Sequence, residues 1–144
     1  MHKVLFVCHG NICRSPMAEL VMKHLVNRAG IGNQFEIASV AVSREELGNP
    51  VYPPARRELE KHGIPCPHRS ARQITIRDLE YYDKIYYMDN NNLRYLRQMF
   101  GSQADKCQSL LPRAVSDPWY SGDFSQTWED ILEGCTRILE ECTC

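Results

Sequence analysis

The sequence predicts an α/β fold: one domain over residues 1–144, a three-layer sandwich whose four-stranded parallel sheet carries helices on both faces. Three observations predict it. Short apolar runs alternate with amphipathic stretches in the order β-α-β-α-α-β-α-β-α, the pattern of a parallel sheet with crossover helices. The first run, Lys3–Cys8 (KVLFVC), is continuously apolar, as a strand covered on both faces must be. No repeat, linker or low-complexity segment interrupts the pattern, and 144 residues suit one domain with its own core.

The elements follow in order. After Lys3–Cys8 comes His9-Gly10-Asn11, a turn signal. Ser15-Pro16 reads as an N-cap followed by proline at the first helical position. Ala18, Val21, Met22, Leu25 and Ala29 then repeat at helical spacing, Glu19 falls in the first turn, and Gly30 can end the helix. Phe35–Val40 (FEIASV) is the second strand, and residues 43–54 are loop. Pro54 starts a helix that reaches His62 and stops at Gly63. Thr75 with Asp78 caps a short helix, and Lys84–Met88 is the third strand. Asp89 caps a helix carrying Leu93, Leu96 and Phe100, closed by Gly101. A weak fourth strand lies near Lys106–Leu110. The last helix begins about Ser125 and sets Trp128, Ile131, Leu132, Cys135, Ile138, Leu139 and Cys142 on one face.

Composition bounds the function. A net charge of −1 gives no basic excess for nucleic acid and no acidic tail. The N-terminus lacks the longer apolar region of a signal peptide, and no run approaches the roughly 18 residues that span a bilayer. These readings predict a cytoplasmic protein without a membrane partner. Seven cysteines cannot all pair within one chain, and without an export signal reduced thiols are the default. CxxC is absent, so no metal site is predicted.

Chemistry concentrates in residues 8–15 (CHGNICRS). In parallel sheets ligands bind beyond the carboxyl ends of strands, where Cys8 is predicted to sit. A strand-loop-helix turn directs main-chain N–H groups and a helix N-terminus toward one point, which favours an anion. Arg14 adds a planar cation that matches two phosphate oxygens, and the same field favours a thiolate at Cys8. A thiolate under a phosphate cradle is an activated nucleophile for phosphoryl transfer. The Walker pattern GxxxxGK[ST] is absent, so the loop binds phosphate without a nucleotide-type lysine. Alone, C-x5-R is a weak pattern and a cysteine ending a strand is often core; the strand before it and the Arg-Ser-Pro helix start after it supply the specificity. Asp117-Pro118, by itself, reads first as a turn opener and only second as an acid, a balance that the neighbouring aromatics Trp119 and Tyr120 shift modestly.

VCHGNICRSPMAE (7–19) resembles the signature V-C-x-G-N-I-C-R-S-P-x-A-E of the low-molecular-weight protein tyrosine phosphatases. DPWY (117–120), HGI (62–64), ARQIT (71–75) and YMDNNNLRYL (87–96) extend the resemblance over essentially the whole chain. It implies hydrolysis of phosphotyrosine, or of small aryl phosphates, without a cofactor, with phosphate as product or inhibitor. It implies that Cys8 forms a phosphocysteine, that Arg14 holds the phosphate and that Asp117 is general acid and then base. His9, Gly10, Asn11, Ile12, Cys13 and Ser15 complete the phosphate loop, with Ser15 donating to the Cys8 thiolate and Asn11 left-handed. Ser39 and His68 match positions that brace Asn11. Trp119 and Tyr120 wall the cleft, with Glu45 on its rim.

The chain departs from the family in three places. Arg44-Glu45-Glu46 stands where a large aromatic is common, Tyr52-Pro53-Pro54 replaces an Asp-x-Arg, and one extra residue lies between His68 and Arg72. The first of these puts charge on the rim that selects peptides. Cys13 reads either as a loop-packing residue or as a thiol able to pair with Cys8. Cys135 and Cys142, about 10 Å apart on a helix, are too distant for a relaxed disulfide and read as core. Cys144 is expected in an exposed tail, and Cys66 and Cys107 carry no signal.

Three rivals share parts of this pattern. An arsenate reductase on the same scaffold needs a second redox cysteine pair mid-chain, and residues 70–106 contain no cysteine. A protein-arginine phosphatase carries threonine where this chain has Ile12, and an apolar side chain there suits a phenol rather than a guanidinium. A non-catalytic phosphate-binding module would not need Cys8, Arg14 and Asp117 together.

Overall fold

The computed structural model describes residues 1–143; Cys144 lies outside the described residues. Four strands, β1 (His2–Cys8), β2 (Phe35–Ala41), β3 (Lys84–Tyr87) and β4 (Cys107–Ser109), form one parallel sheet in the order β2-β1-β3-β4. The helices are α1 (Arg14–Arg28), α2 (Pro53–Lys61), α3 (Ile76–Tyr81), α4 (Asn90–Phe100), α5 (Pro118–Ser121) and α6 (Phe124–Thr143).

β1 explains the architecture. Its side chains alternate between faces, and from Val4 to Cys8 neither face meets water. Val4, Phe6 and Cys8 enter a core made with Met17, Val21 and Met22 of α1, Leu59 of α2 and Ile131, Cys135 and Ile138 of α6. Leu5 and Val7 enter a second core with Val40, Ile85, Leu79 of α3 and Leu96 of α4. Two apolar faces on one sheet require two helical layers, which gives the predicted sandwich. Cys135 is wholly buried, while Cys142 is partly exposed and packs against the same core.

The topology places a site. The chain runs from β1 to β2 on one side and then crosses to β3 on the other. The strand order therefore reverses between β1 and β3, where open parallel sheets bind ligands. Cys8 pairs with Ala41 at the end of β2, one residue beyond the last β1–β3 pair, Val7 with Tyr87. Cys8 thus stands at the carboxyl tip of the central strand.

The start of α1 differs from expectation for a physical reason. α1 starts at Arg14, with Cys13 at its N-cap and no side-chain cap; Ser15 lies inside the first turn, not before it. The Ser15 hydroxyl is engaged by Cys8 and Asn11, so it does not cap the helix. Glu19 lies beyond the first turn and reaches across to Ser39. The short helix α5 lies in a segment expected to be loop, and its N-cap is Asp117 itself. The predicted caps at Thr75/Asp78 and at Asp89 are both present, and each is a capping box, the second completed by Asn92. Among the described residues, no helix is long and apolar enough to cross a membrane.

Candidate active site

The loop after β1 curls around the Cys8 sulfur. Asn11 adopts a left-handed backbone (φ 60°), unusual outside glycine but tolerated by asparagine, and its N–H points at Cys8 Sγ, 3.3 Å away. Ser15 Oγ lies 3.0 Å from the same sulfur. Gly10 leaves room for the rim: a Cβ there would come within 3.1 Å of Glu46 Cγ.

A buried hydrogen-bond chain leads to the Ser15 hydroxyl. Asn11 Oδ1 accepts from Arg69 Nη2 and from the Arg72 N–H, so its amide nitrogen must face the other way. That nitrogen donates to Ser15 Oγ at 2.7 Å and to Ser39 Oγ at 3.0 Å. Ser39 in turn donates to Glu19 Oε1 at 2.6 Å, since an ionised carboxylate only accepts. When Cys8 is a thiolate it can only accept, and the Ser15 hydroxyl then donates to Sγ at 3.0 Å, nearer than the Val40 carbonyl at 3.4 Å. The Ser15 hydroxyl and the Asn11 N–H thus both lie within hydrogen-bond reach of the sulfur.

The bracing cation is Arg69. Arg69 Nη1 donates to the Asn11 carbonyl at 2.8 Å, and its Nη2 reaches both Asn11 Oδ1 and Ser39 Oγ. His68, expected in this role, is exposed and makes no side-chain hydrogen bond among the described residues. Arg69, the next residue, takes the inward position. Burial lowers the Arg69 pKa from its ordinary value, though a guanidinium remains charged in proteins. Ser39 lies where expected, 4% exposed.

Arg14 is buried and committed on one side only. Its Nη1 donates to Asp89 Oδ2 at 2.9 Å and to the Val115 carbonyl at 3.1 Å, and its Nη2 donates to Asp117 Oδ2 at 3.3 Å. Three of five N–H donors are used. Among the described residues the Nε–H and one Nη2–H have no partner, and two free donors on one guanidinium suit two oxygens of a phosphate. Asp89, read from the sequence only as a helix cap, does that and more: Oδ1 caps α4 while Oδ2 holds Arg14. Its place after the carboxyl end of β3, across the strand-order reversal, was the signal available for it.

These groups line a cleft of about 360 Å³. Cys8, His9, Gly10, Ile12, Cys13 and Arg14 form its floor with Asp89, Asn91, Asn92, Tyr95 and Asp117, and Glu45, Glu46, Trp119 and Tyr120 line it too. Trp119 packs on Tyr52, with ring centroids 5.1 Å apart, and the Tyr52 N–H holds the Ile12 carbonyl at 2.9 Å. The Tyr52-Pro53-Pro54 departure thus supports both the cleft wall and the loop. Tyr120 is 86% exposed. His9 Nε2 meets Glu45 Oε2 at 2.9 Å, and the His9 ring also meets the edge of Tyr95. Burial, followed by the neighbouring Cys8, pushes the Cys13 thiol up to about 12, so Cys13 stays protonated at neutral pH. Among the described residues, no group of three His, Cys, Asp or Glu side chains is placed to hold a metal ion.

A sequence profile described as low molecular weight phosphotyrosine protein phosphatase matches residues 3–143. The chain belongs to this family. Similar relatives include the low molecular weight protein-tyrosine-phosphatase YfkJ of Bacillus subtilis, 35% identical over 96% of this chain and 94% of that protein. The human low molecular weight phosphotyrosine protein phosphatase is 37% identical with the same coverages. Among solved structures, the low molecular weight protein tyrosine phosphatase of Streptococcus pyogenes superposes with a TM-score of 0.92 at 37% identity, covering 100% of this chain and 95% of that one. The four-stranded parallel sheet flanked by helices is the fold shared with these phosphatases.

Proposed function

We propose that residues 1–144 act as one phosphatase domain that hydrolyses phosphotyrosine in proteins, and small aryl phosphates, through a phosphocysteine at Cys8. The observation that carries this reading is the pair of unused N–H donors on Arg14, set beside a sulfur that accepts from Asn11 and Ser15, with Asp117 attached to the same guanidinium. A phosphate held on the free edge of Arg14 rests against the sulfur and beside the carboxyl group.

In the first step Cys8 Sγ attacks phosphorus and the bond to the phenolic oxygen breaks. Asp117 gives its proton to that oxygen, so a neutral phenol leaves. In the second step water attacks phosphorus, Asp117 takes its proton, the S–P bond breaks and the thiolate returns. Phosphate departs as product and is expected to inhibit by reoccupying the loop. Arg14 holds the equatorial oxygens through both steps, where charge spreads in the transition state.

Ile12 supports a phenolic substrate. It is 8% exposed, lines the cleft and offers no polar group to a guanidinium. The half-exposed Trp119 gives an aryl ring a face to pack on. No nucleic acid or membrane takes part in this reading. The proposed setting is the reducing cytoplasm: the nucleophile works as a thiolate, and Cys8, Cys13, Cys66, Cys107, Cys135 and Cys142 are all free thiols.

The test is phosphate release from a phosphotyrosyl peptide in the presence of a chelator. Wild type should turn over and Cys8→Ser should not. Full turnover by Cys8→Ser would remove the proposal.

A further inference from the structure

Asp130 lies on α6 and does not line the cleft, yet its carboxylate is among the most buried charges of the chain, 4% exposed. It accepts from the Ser116 N–H at 2.9 Å, from Gln126 Nε2 at 2.9 Å and from Arg113 Nη2 at 3.0 Å. Nearly one turn earlier, the fully buried Thr127 donates its hydroxyl to the Ser116 carbonyl at 2.9 Å, and a longer contact of 3.3 Å runs to the Asp123 carbonyl. Both peptide groups of Ser116 are therefore gripped by one helix.

The residue before is held as well. The Val115 N–H donates to the Met88 carbonyl at the end of β3, and the Val115 carbonyl accepts from Arg14. Four consecutive main-chain groups leading into Asp117 thus have fixed partners, two of them supplied by α6. The neighbours of Asp130 along the helix, Ile131 and Cys135, are core residues, and a carboxylate is costly to bury unless its hydrogen bonds are met.

We propose that Asp130, assisted by Thr127, is a positioning residue for Asp117: by clamping Ser116 it holds the acid carboxyl at the leaving oxygen. Proton transfer needs hydrogen-bond reach, and a displacement of about 1 Å can cost on the order of 100-fold in rate. The inference rests on Asp117 being the general acid, and the experiment separates the two.

The measurement is kcat/KM, which reports phosphoenzyme formation, on phenyl phosphate and on dinitrophenyl phosphate. The first has a poor leaving group that needs the proton; the second leaves without it. Asp117→Ala should lose far more on phenyl phosphate. Asp130→Ala should show the same selective loss, roughly tenfold or more. Asp130→Asn, which keeps an acceptor for the Ser116 N–H, should recover most of it. Thr127→Val should show a smaller selective loss with little change in melting temperature, and it decides the matter if Asp130→Ala does not fold. Asp130 and Thr127 variants that affect both substrates equally, while Asp117→Ala remains selective, would overturn the positioning role. An unselective Asp117→Ala would instead overturn the acid assignment and the inference with it.

Discussion

Arg69 holds Asn11 at two points, donating to its main-chain carbonyl at 2.8 Å and to its side-chain carbonyl. Those two bonds orient the amide that feeds Ser15, and Asn11 is wholly buried in a left-handed conformation that needs support. Hydrogen bonds to a charged group contribute about 1.5–3 kcal/mol each. Arg69→Ala is therefore expected to lower kcat/KM on an aryl phosphate by roughly 10- to 100-fold. Arg69→His tests the charge itself. A guanidinium does not titrate in the working range, whereas an imidazole loses its proton near about 6.5. Relative to wild type, the variant should lose activity as pH rises through that value, so the ratio of the two rates falls there while their common dependence on Asp117 cancels.

Ser15 donates to the Cys8 sulfur, so removing its hydroxyl should weaken the nucleophile without disturbing the fold. Alkylation of Cys8 by iodoacetate at slightly acid pH reads the thiolate directly. For Ser15→Ala the rate should fall roughly tenfold, following the loss of one hydrogen bond to a charged atom. An unchanged rate would mean that the Asn11 N–H and Arg14 suffice.

Arg72 makes a two-point ion pair with Asp78, at 2.9 and 3.0 Å, beside the capping box of α3. Burial works against the carboxylate, but the Arg72 hydrogen bonds and the Thr75 N–H outweigh it and hold the Asp78 pKa below the ordinary value. A depressed folded-state pKa contributes stability that is complete above the unfolded value, about 3.9 for aspartate, and is lost as pH falls through the folded value. Wild type should melt higher than Asp78→Asn at neutral pH. The gap should narrow only below about pH 4, as a pH series of melting temperatures would show.

Gly134 faces Leu110, and a Cβ at that position would lie 2.5 Å from Leu110 Cγ. In a helix interior alanine gains up to about 1 kcal/mol over glycine, but overpacking costs about 1–3 kcal/mol. The clash should win, so Gly134→Ala is expected to destabilise in denaturant titration. Leu110→Ala in the same chain should relieve the clash, giving a strongly non-additive pair.

The elements were legible because their signals were local. KVLFVC announces a strand buried on both sides, and Thr75, Asp89 and Gly101 mark helix ends by hydrogen bonds and backbone freedom that the residue types alone imply. The phosphate loop was legible because its residues are contiguous. Arg69, Asp89, Thr127 and Asp130 were not, because their partners lie 11 to 75 residues away in the chain and only the fold brings them together. His68 shows the same limit. With one residue inserted nearby, spacing alone did not show which of two neighbours pointed inward. Ser15 misled for another reason: serine before proline is a common helix start, but its hydroxyl had a better partner in Cys8.

The central claim is that the phosphoryl group passes through the Cys8 sulfur, and trapping that intermediate tests it most directly. Wild-type enzyme is mixed with labelled phosphotyrosyl peptide, quenched within one turnover and digested, and the peptides are mapped by mass spectrometry. The label should sit on Cys8, in the segment that also holds Arg14, and should be absent from Cys8→Ser. Label on any other residue, or steady turnover with no labelled peptide at any quench time, would contradict the account.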